Sequence, residues 1–546
     1  MTTSRSLGHR APLLWLVLPM MIGLAAGRTW EIAQPLWLLA GALGLAGAAL
    51  FGATRRWIWA TALTVAMVLA GAASYALHRA RLPEWDSRPA REVQVTLRVE
   101  RVFPQTDARK TSGLATVGRS EKHLRELAGQ RIYFSLALKQ GDAAPLRTAE
   151  VSVVGVLTAL PKNPPANSFD GYLTDAGINF RLGRGRVLKE ERPATAYARF
   201  CARIAARFKE ILALGIAGKR PELAALLRAM MLGETHELSE EQHALFRRSG
   251  TMHLFAISGL NIAVIAGALQ VALLLPLRRW PAAQFAAGAA LLWLSVDITG
   301  AAPSAVRAFA MAVFVQGAFT LWKPGNILAA LVASVAAVLV VAPLQFFSAS
   351  FVMSYGIVAA LLLLGLPLGE AWAARWAPWS ALPEAAWRRW QRAVSTAGRW
   401  FAAALAVGLA TSLVGLLTGV QYFGLLTPGA LVTNLALIPA AMLVTLGGFA
   451  ALLCGLAGWS GGAVFFNHAS ALVLLGIERV VRWSVAVPGA FVPAHFTAPW
   501  IGGVALAGLG AWLLAGYALG WRREQGGFWP PFAIVALVLI FGVKFG

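Results

Sequence analysis

Charge is scarce in this sequence: Asp, Glu, Lys and Arg supply 13% of its 546 residues, against about 25% in an ordinary soluble domain. Too few polar groups remain to cover a water-facing surface. A hydrophobic share of 58% with a mean hydropathy of +0.63 therefore excludes a chain dissolved in water. Acidic residues are rarer than basic ones, 25 against 48, which leaves a formal charge of +23. Such a balance suits nucleic acid, anionic lipid or cytoplasmic loops, and only the distribution of the charge separates these. Cysteine is nearly missing. Cys201 and Cys454 stand in unlike surroundings, the second inside an apolar run, which excludes a disulfide framework and a cysteine metal site. No GxxxxGKS or GxxxxGKT string is present, so the chain is not expected to hydrolyse ATP, and without GxSxG there is no nucleophile elbow. No cofactor or metal is expected.

What the chain does have is apolar runs near the 20 residues or so that cross a bilayer. Three come first, roughly Pro12 to Ala26, Pro35 to Phe51 and Trp57 to Leu77. The first reads as a retained anchor, since further apolar runs follow with no obvious cleavage site. Ten more are placed near Met252 to Leu277, Ala282 to Val296, Ser304 to Leu321, Asn326 to Ala342, Phe346 to Leu366, Phe401 to Leu417, Gly429 to Leu456, Gly462 to Val481, Pro499 to Leu519 and Pro530 to Phe545. Pro428, Pro439, Gly447 and Gly448 predict a break in the long run near 424 to 456. The fold class is thus a polytopic α-helical membrane protein of about 12 to 13 helices.

Between the third run and the fourth the character changes. Residues 79–250 hold 29 of the 48 Lys and Arg and 19 of the 25 Asp and Glu, a water-facing stretch of net charge +10. Glu92 to Val102, Gln130 to Leu138 and Ala149 to Leu157 alternate as half-buried strands do. A small β-domain of OB type is expected over 79–192, although alternation alone does not separate a barrel from a sandwich. Ala194 to Leu214 reads as an amphipathic helix at the membrane surface or against the β-domain, within linker helices over 193–250. The membrane regions are then 1–78 and 251–546.

Cytoplasmic loops collect Lys and Arg. With the N-terminus inside, the inner loops hold Arg5, Arg10, Arg55, Arg56, Arg278, Arg279, Lys323, Arg375, Arg388, Arg389, Arg392, Arg399, Arg522 and Arg523, which is 14 of the 19 basic residues outside the polar stretch. The same orientation puts the β-domain, after three spans, on the outer face. Ile477 to Trp483, with Glu478, Arg479 and Arg482, suits either a span or a segment lying at the interface. Trp372, Trp376, Trp379, Trp387, Trp390 and Trp400 read as an interfacial amphipathic helix with aromatic anchors.

The most specific string is LLRAMMLGETHELSEEQHALFRRSGTMHLFAISGLNIAVIAG, residues 226–267; with TGAAPSAVRA at 299–308, YFGLLTPGALVTNLALIP at 422–439 and NPPANSFDGYLTDAGINF at 163–180 it resembles the ComEC family of competence DNA-uptake channels. The resemblance covers about Trp85 to Val487. It implies an inner-membrane channel that conducts single-stranded transforming DNA, served by a periplasmic or surface DNA receptor, a cytoplasmic motor, membrane lipid and further copies of the chain. Where the family usually has His, this chain has Asn261, so a role peculiar to imidazole does not carry over. Many relatives append a metallo-β-lactamase-like domain; no His-x-His-x-Asp-His string occurs here, so a nuclease is expected to be a separate polypeptide and the chain itself is not expected to be an enzyme.

A strand crossing the bilayer needs a wet, polar path, because charge in hydrocarbon is costly. Ile257 to Asn261 and Thr299 to Ser304 suit helix breaks that turn amides toward an anion; equally, Gly and Ser pack helices together. The residues expected along the path are His253, Ser258, Gly259, Asn261, Thr299, Ser304, Arg307 and Asn434. Arg307 and Asp297 are read either as a salt bridge between two helices or, for Arg307, as a phosphate contact. In the outer domain Arg181, Arg184, Arg186 and Lys189 are candidates for phosphates, with Tyr133 and Phe134 for stacked bases; a solvated face or anionic headgroups explain the same charges. Two other functions stay open: a small-anion transporter on the same broken helices, and an intramembrane serine hydrolase or transferase using Ser258 with His253.

Overall fold

Runs of Leu, Ala, Val and Gly without charges form helices because every backbone group of a segment in hydrocarbon must be bonded within it. The computed structural model describes residues 10–545 except 31, 52–53, 80, 108, 121, 140–142, 163, 166, 256–258, 321–325 and 523–525. Three helices come first: α1 (Leu14–Thr29), α2 (Pro35–Phe51) and α3 (Arg56–Arg79). α1 and α3 touch backbone to backbone, since a Cβ at Gly23 would strike the Val68 carbonyl and one at Gly71 the Met20 carbonyl. Small residues permit this close approach, as is usual between membrane helices.

A barrel domain follows. β1 (Arg91–Phe103), β2 (Lys110–Ser120), β3 (Arg131–Ala137), β4 (Glu150–Ala159) and β5 (Phe180–Arg192) close in the order β1-β2-β3-β5-β4, with β3 and β5 parallel. The closed ladder decides for a barrel over a sandwich. Its interior is the inward half of each alternating strand: Val95, Leu97 and Val99 meet Ile132, Phe134, Val153 and Leu182. Phe134 is therefore a core residue, not a stacking surface. α4 (Phe169–Asp175), capped by the Ser168 hydroxyl, lies between β4 and β5.

Next come α5 (Ala196–Ala213), α6 (Pro221–Leu232) and α7 (Glu240–Arg248), then the main bundle: α8 (Gly259–Leu277), α9 (Pro281–Ile298), α10 (Pro303–Thr320), α11 (Ile327–Val341), α12 (Ala349–Ala360), α13 (Leu366–Arg375), α14 (Arg389–Thr418), α15 (Ala430–Leu456), α16 (Ser460–Ala486), α17 (Ile501–Ala518) and α18 (Pro530–Phe541). Among the described residues eight helical segments are long and apolar enough to cross a membrane, and α1, α2, α11 and α18 are shorter apolar helices. The chain is a multi-pass membrane protein with a β-domain inserted after its third helix.

Two expectations need correction, the first only in part. The run near 424 to 456 does break, but at its start around Pro428: a π-helical turn ends at Phe423, Leu425–Leu426 are extended and α15 begins at Ala430. Beyond that α15 runs unbroken through Pro439, Gly447 and Gly448: neighbouring helices offset the bond that proline removes, and the glycines admit Ser470 and Met231 instead of forming a hinge. Ile477 to Trp483, by contrast, lies within one continuous helix, α16, long and apolar enough to cross a membrane, in line with its reading as part of a span; Ile477 and Val481 are buried and Arg482 is bonded to Glu478 at 2.7 Å. The tryptophan-rich stretch forms no separate interfacial helix among the described residues: α12 continues through a π-helical turn (Leu361–Gly365) into α13, and Trp379 packs edge-on against Trp387 and Trp390 at the turn into α14.

The barrel is docked on the helices at charged points. Arg28, ending α1, pairs with Asp175 of α4 at 3.2 Å; Arg79, ending α3, donates to the Ile178 carbonyl at 3.2 Å and to Asn179. Arg147, between β3 and β4, meets Asp297 near the end of α9 at 2.7 Å. These helix ends share one face of the bundle, so the loops with Arg55 and Arg56, Arg278 and Arg279, and Arg375 to Arg399 belong to the opposite face.

Burial pushes the Asp175 carboxyl up to about 6, against the lowering pull of Arg28 and Arg79. A carboxyl raised in the folded state keeps its proton longer there than in the unfolded chain. Its contribution is complete below about pH 4 and is lost as pH rises through about 6, about 3 kcal/mol in all. Asp175→Asn is expected to remove that part of the pH slope of unfolding between about pH 4 and 6.5, measured by denaturation of the detergent-solubilised chain; an unaltered slope would contradict the assignment.

Candidate functional site

The most deeply placed charge lies in the bundle. Arg307 is on the second turn of α10 and is 1% exposed. Its guanidinium donates to Gln345 Oε1 at 3.1 Å, to the Ser350 carbonyl at 2.8 Å, to the Ser350 hydroxyl and to Ser354 Oγ at 3.1 Å. Gln345 sits in the turn Pro343–Phe347; Ser350 and Ser354 are one turn apart on α12 and so share a face. Beside them Tyr355 and Ser334 of α11 bond hydroxyl to hydroxyl at 2.8 Å. A polar seam thus joins α10, α11 and α12 inside apolar surroundings.

No carboxylate pairs with Arg307 among the described residues, and its Nε is buried without a hydrogen-bond partner. The expected pair with Asp297 does not form. Asp297 is held instead by Arg147 of the barrel and by the Tyr197 hydroxyl of α5 at 2.9 Å. Carbonyl and hydroxyl oxygens solvate the guanidinium without cancelling its charge, and a full cation in low dielectric attracts any anion that reaches it.

The other expected path residues are dispersed. Asn261 is buried, not on an open wall: its amide donates to the Met230 carbonyl at 3.2 Å and its carbonyl accepts from Thr445 at 3.1 Å. It ties the start of α8 to α6 and α15. Gly259 is exposed near Ala308, whereas Ile257 and Ser258 lie outside the described residues, as do Arg5, Lys323 and Arg523. His253 donates through Nδ1 to the Gly250 carbonyl at 3.0 Å. Thr299 caps α9 by donating to the Ser295 and Val296 carbonyls, both at 3.0 Å. Ser304 is half-buried at the start of α10, and Asn434 Oδ1 is buried without a partner among the described residues.

On the barrel, Arg184, Arg186 and Lys189 are exposed, with Lys189 near Glu191 at 3.8 Å. Arg181 lies over the Tyr133 and Phe169 rings and pairs with Asp170 at 3.6 Å. Tyr133 is stacked on Phe103. Gln345, Ser350 and Ser354 escaped the reading of the sequence; the signal was the four-residue spacing of two serines inside an apolar run.

A docked barrel, a multi-helix bundle and an arginine buried without a carboxylate partner among the described residues define a multi-pass membrane protein with a polar seam within its apolar bundle. Residues 230–520, more than half of the chain, match the Competence protein family, and the chain belongs to that family. It is similar to the "ComE operon protein 3" of Bacillus subtilis (strain 168), 29% identical over 145 residues, which is 26% of this chain and 18% of that protein. The match thus spans less than a fifth of the relative's length. No solved structure matches.

Proposed function

We propose that this chain forms the path by which a single strand of incoming DNA crosses the bacterial inner membrane into the cytoplasm during natural competence. In this reading the N-terminus is cytoplasmic, the barrel is of OB type and lies outside, and a separate motor draws the strand. Arg307 carries the reading: a cation kept in an apolar bundle with no carboxylate beside it among the described residues is reserved for an anion that passes, and an ionisable residue at such depth marks a substrate pathway by default. The barrel order with its parallel β3–β5 closure supports the OB assignment, and family membership supports the substrate.

Deleting the gene from a naturally transformable host tests this. Chromosomal transformation is expected to fall to background while labelled DNA still reaches a protected state outside the cytoplasm. Unchanged transformation would remove the proposal. Proteoliposomes that take up small anions but pass no oligonucleotide would favour a transporter of small anions.

A further inference from the structure

We infer that the exposed arginine row of α5 is the track along which the phosphate backbone of the strand leaves the barrel. The inference rests on the reading of DNA passage above and names the residues that hold the strand. Arg199, Arg203 and Arg207 recur every four residues, so they project from one face, and all three are exposed. Arg199 and Arg203 make no ion pair among the described residues. Arg207 pairs with Glu210 at 2.8 Å, and both side chains remain largely in solvent.

An interfacial helix turns its apolar face to lipid and its basic residues to headgroups. α5 does not have that face free. Cys201, Ile211 and Leu212 are buried, and Ile211 fills the space in which a Cβ at Gly455 of α15 would sit. Asn467 of α16 donates to the Ile211 and Leu214 carbonyls at 2.8 and 3.0 Å. The helix is thus bound to protein by its apolar side, and the arginines face away from that seat. At its other end Tyr197 bonds Asp297, and Thr195 meets Thr148 of the barrel at 3.2 Å. α5 therefore leads from the barrel contact to the far end of α15, over about 27 Å.

Exposed cations also precede the row in the sequence, with Glu190 and Glu191 between them. β5 carries exposed Arg184, Arg186 and Lys189 and runs through three residues into α5. Four residues of helix rise about 6 Å, wider than the 3.4 Å or so between charges along one stacked strand. The ladder therefore fits an extended strand better than a duplex. Phe200, 40% exposed, follows Arg199 and borders the row. Aromatic faces interleaved with cations bind single strands irrespective of sequence, bases stacking while phosphates pair.

The test uses the full chain in nanodiscs of zwitterionic lipid and a fluorescent 20-nucleotide oligothymidylate as probe, titrated across salt concentrations. Arg199→Gln with Arg203→Gln is expected to weaken binding roughly 10- to 30-fold at about 0.1 M salt and to flatten the log–log salt slope by about 1.4, two single-strand phosphate contacts. Arg199→Lys with Arg203→Lys keeps the slope, Phe200→Leu weakens binding at constant slope, and Arg278→Gln with Arg279→Gln alters neither. Wild-type binding with the same slope in the double Gln variant overturns the track and leaves DNA passage standing. Loss of association with phosphatidylglycerol vesicles, with the oligonucleotide slope intact, assigns the row to headgroups and also overturns it. A wild-type chain that binds no oligonucleotide removes both readings.

Discussion

Arg307→Met is expected to leave the protein folded and at normal abundance while lowering transformation on the order of 100-fold, the weight of one charged contact of about 3 kcal/mol. The two halves of that result separate because a buried cation adds little to stability. Its removal strands no carboxylate among the described residues, and Ser350 and Ser354, freed of the guanidinium, can turn their hydroxyls to carbonyls of their own helix. Arg307→Lys should recover only part of the activity, since a compact ammonium cannot meet Gln345, Ser350 and Ser354 with the planar fork that does so now. Transformation at the wild-type level in the Met variant would show that the charge is not used.

Arg147→Ala is expected to destabilise the union of barrel and bundle by about 3 kcal/mol, and Asp297→Asn by clearly less. The asymmetry follows from burial. The Arg147 side chain is 46% exposed, whereas that of Asp297 is 4% exposed, so losing the arginine leaves a carboxylate stranded without its cation. Losing the carboxylate strands nothing: the amide oxygen introduced by Asp297→Asn would still accept from Tyr197, and Arg147 is partly solvated already. The double variant should therefore be more stable than Arg147→Ala alone. Proteolysis of the 193–195 connection together with unfolding midpoints reads the effect; equal losses in both single variants would show that the ion pair does not fasten the barrel.

The same two groups show how far the sequence was legible. Asp297 and Arg307 stood out because charges are rare in apolar runs, and both proved to be the buried polar centres of their neighbourhoods. Their partners did not follow from that. Their closeness in the sequence suggested a pair, yet the reverse turn after α9 sends Arg307 toward α12, while Asp297 stays at the barrel face. Asn261 was likewise visible as a polar residue in an apolar run, but the packing of α6 and α15 against α8 determined that its bonds are spent between helices. β2 and β5 were missed because Lys110 to Ser120 and the Gly-rich Arg181 to Lys189 alternate weakly; only the paired neighbours make strands of them.

By itself the sequence determined the solvent of the protein, the helical character of its apolar runs, the place of the β-domain and the family. These depend on the composition of contiguous segments, which hydrocarbon and water sort without reference to anything distant. The tertiary structure alone decided which charges meet, that α15 is unbroken, that α5 spends its apolar face on protein, and that Arg307 is buried with no carboxylate partner among the described residues. Those outcomes depend on contacts between residues from tens to hundreds of positions apart, and no local pattern specifies them.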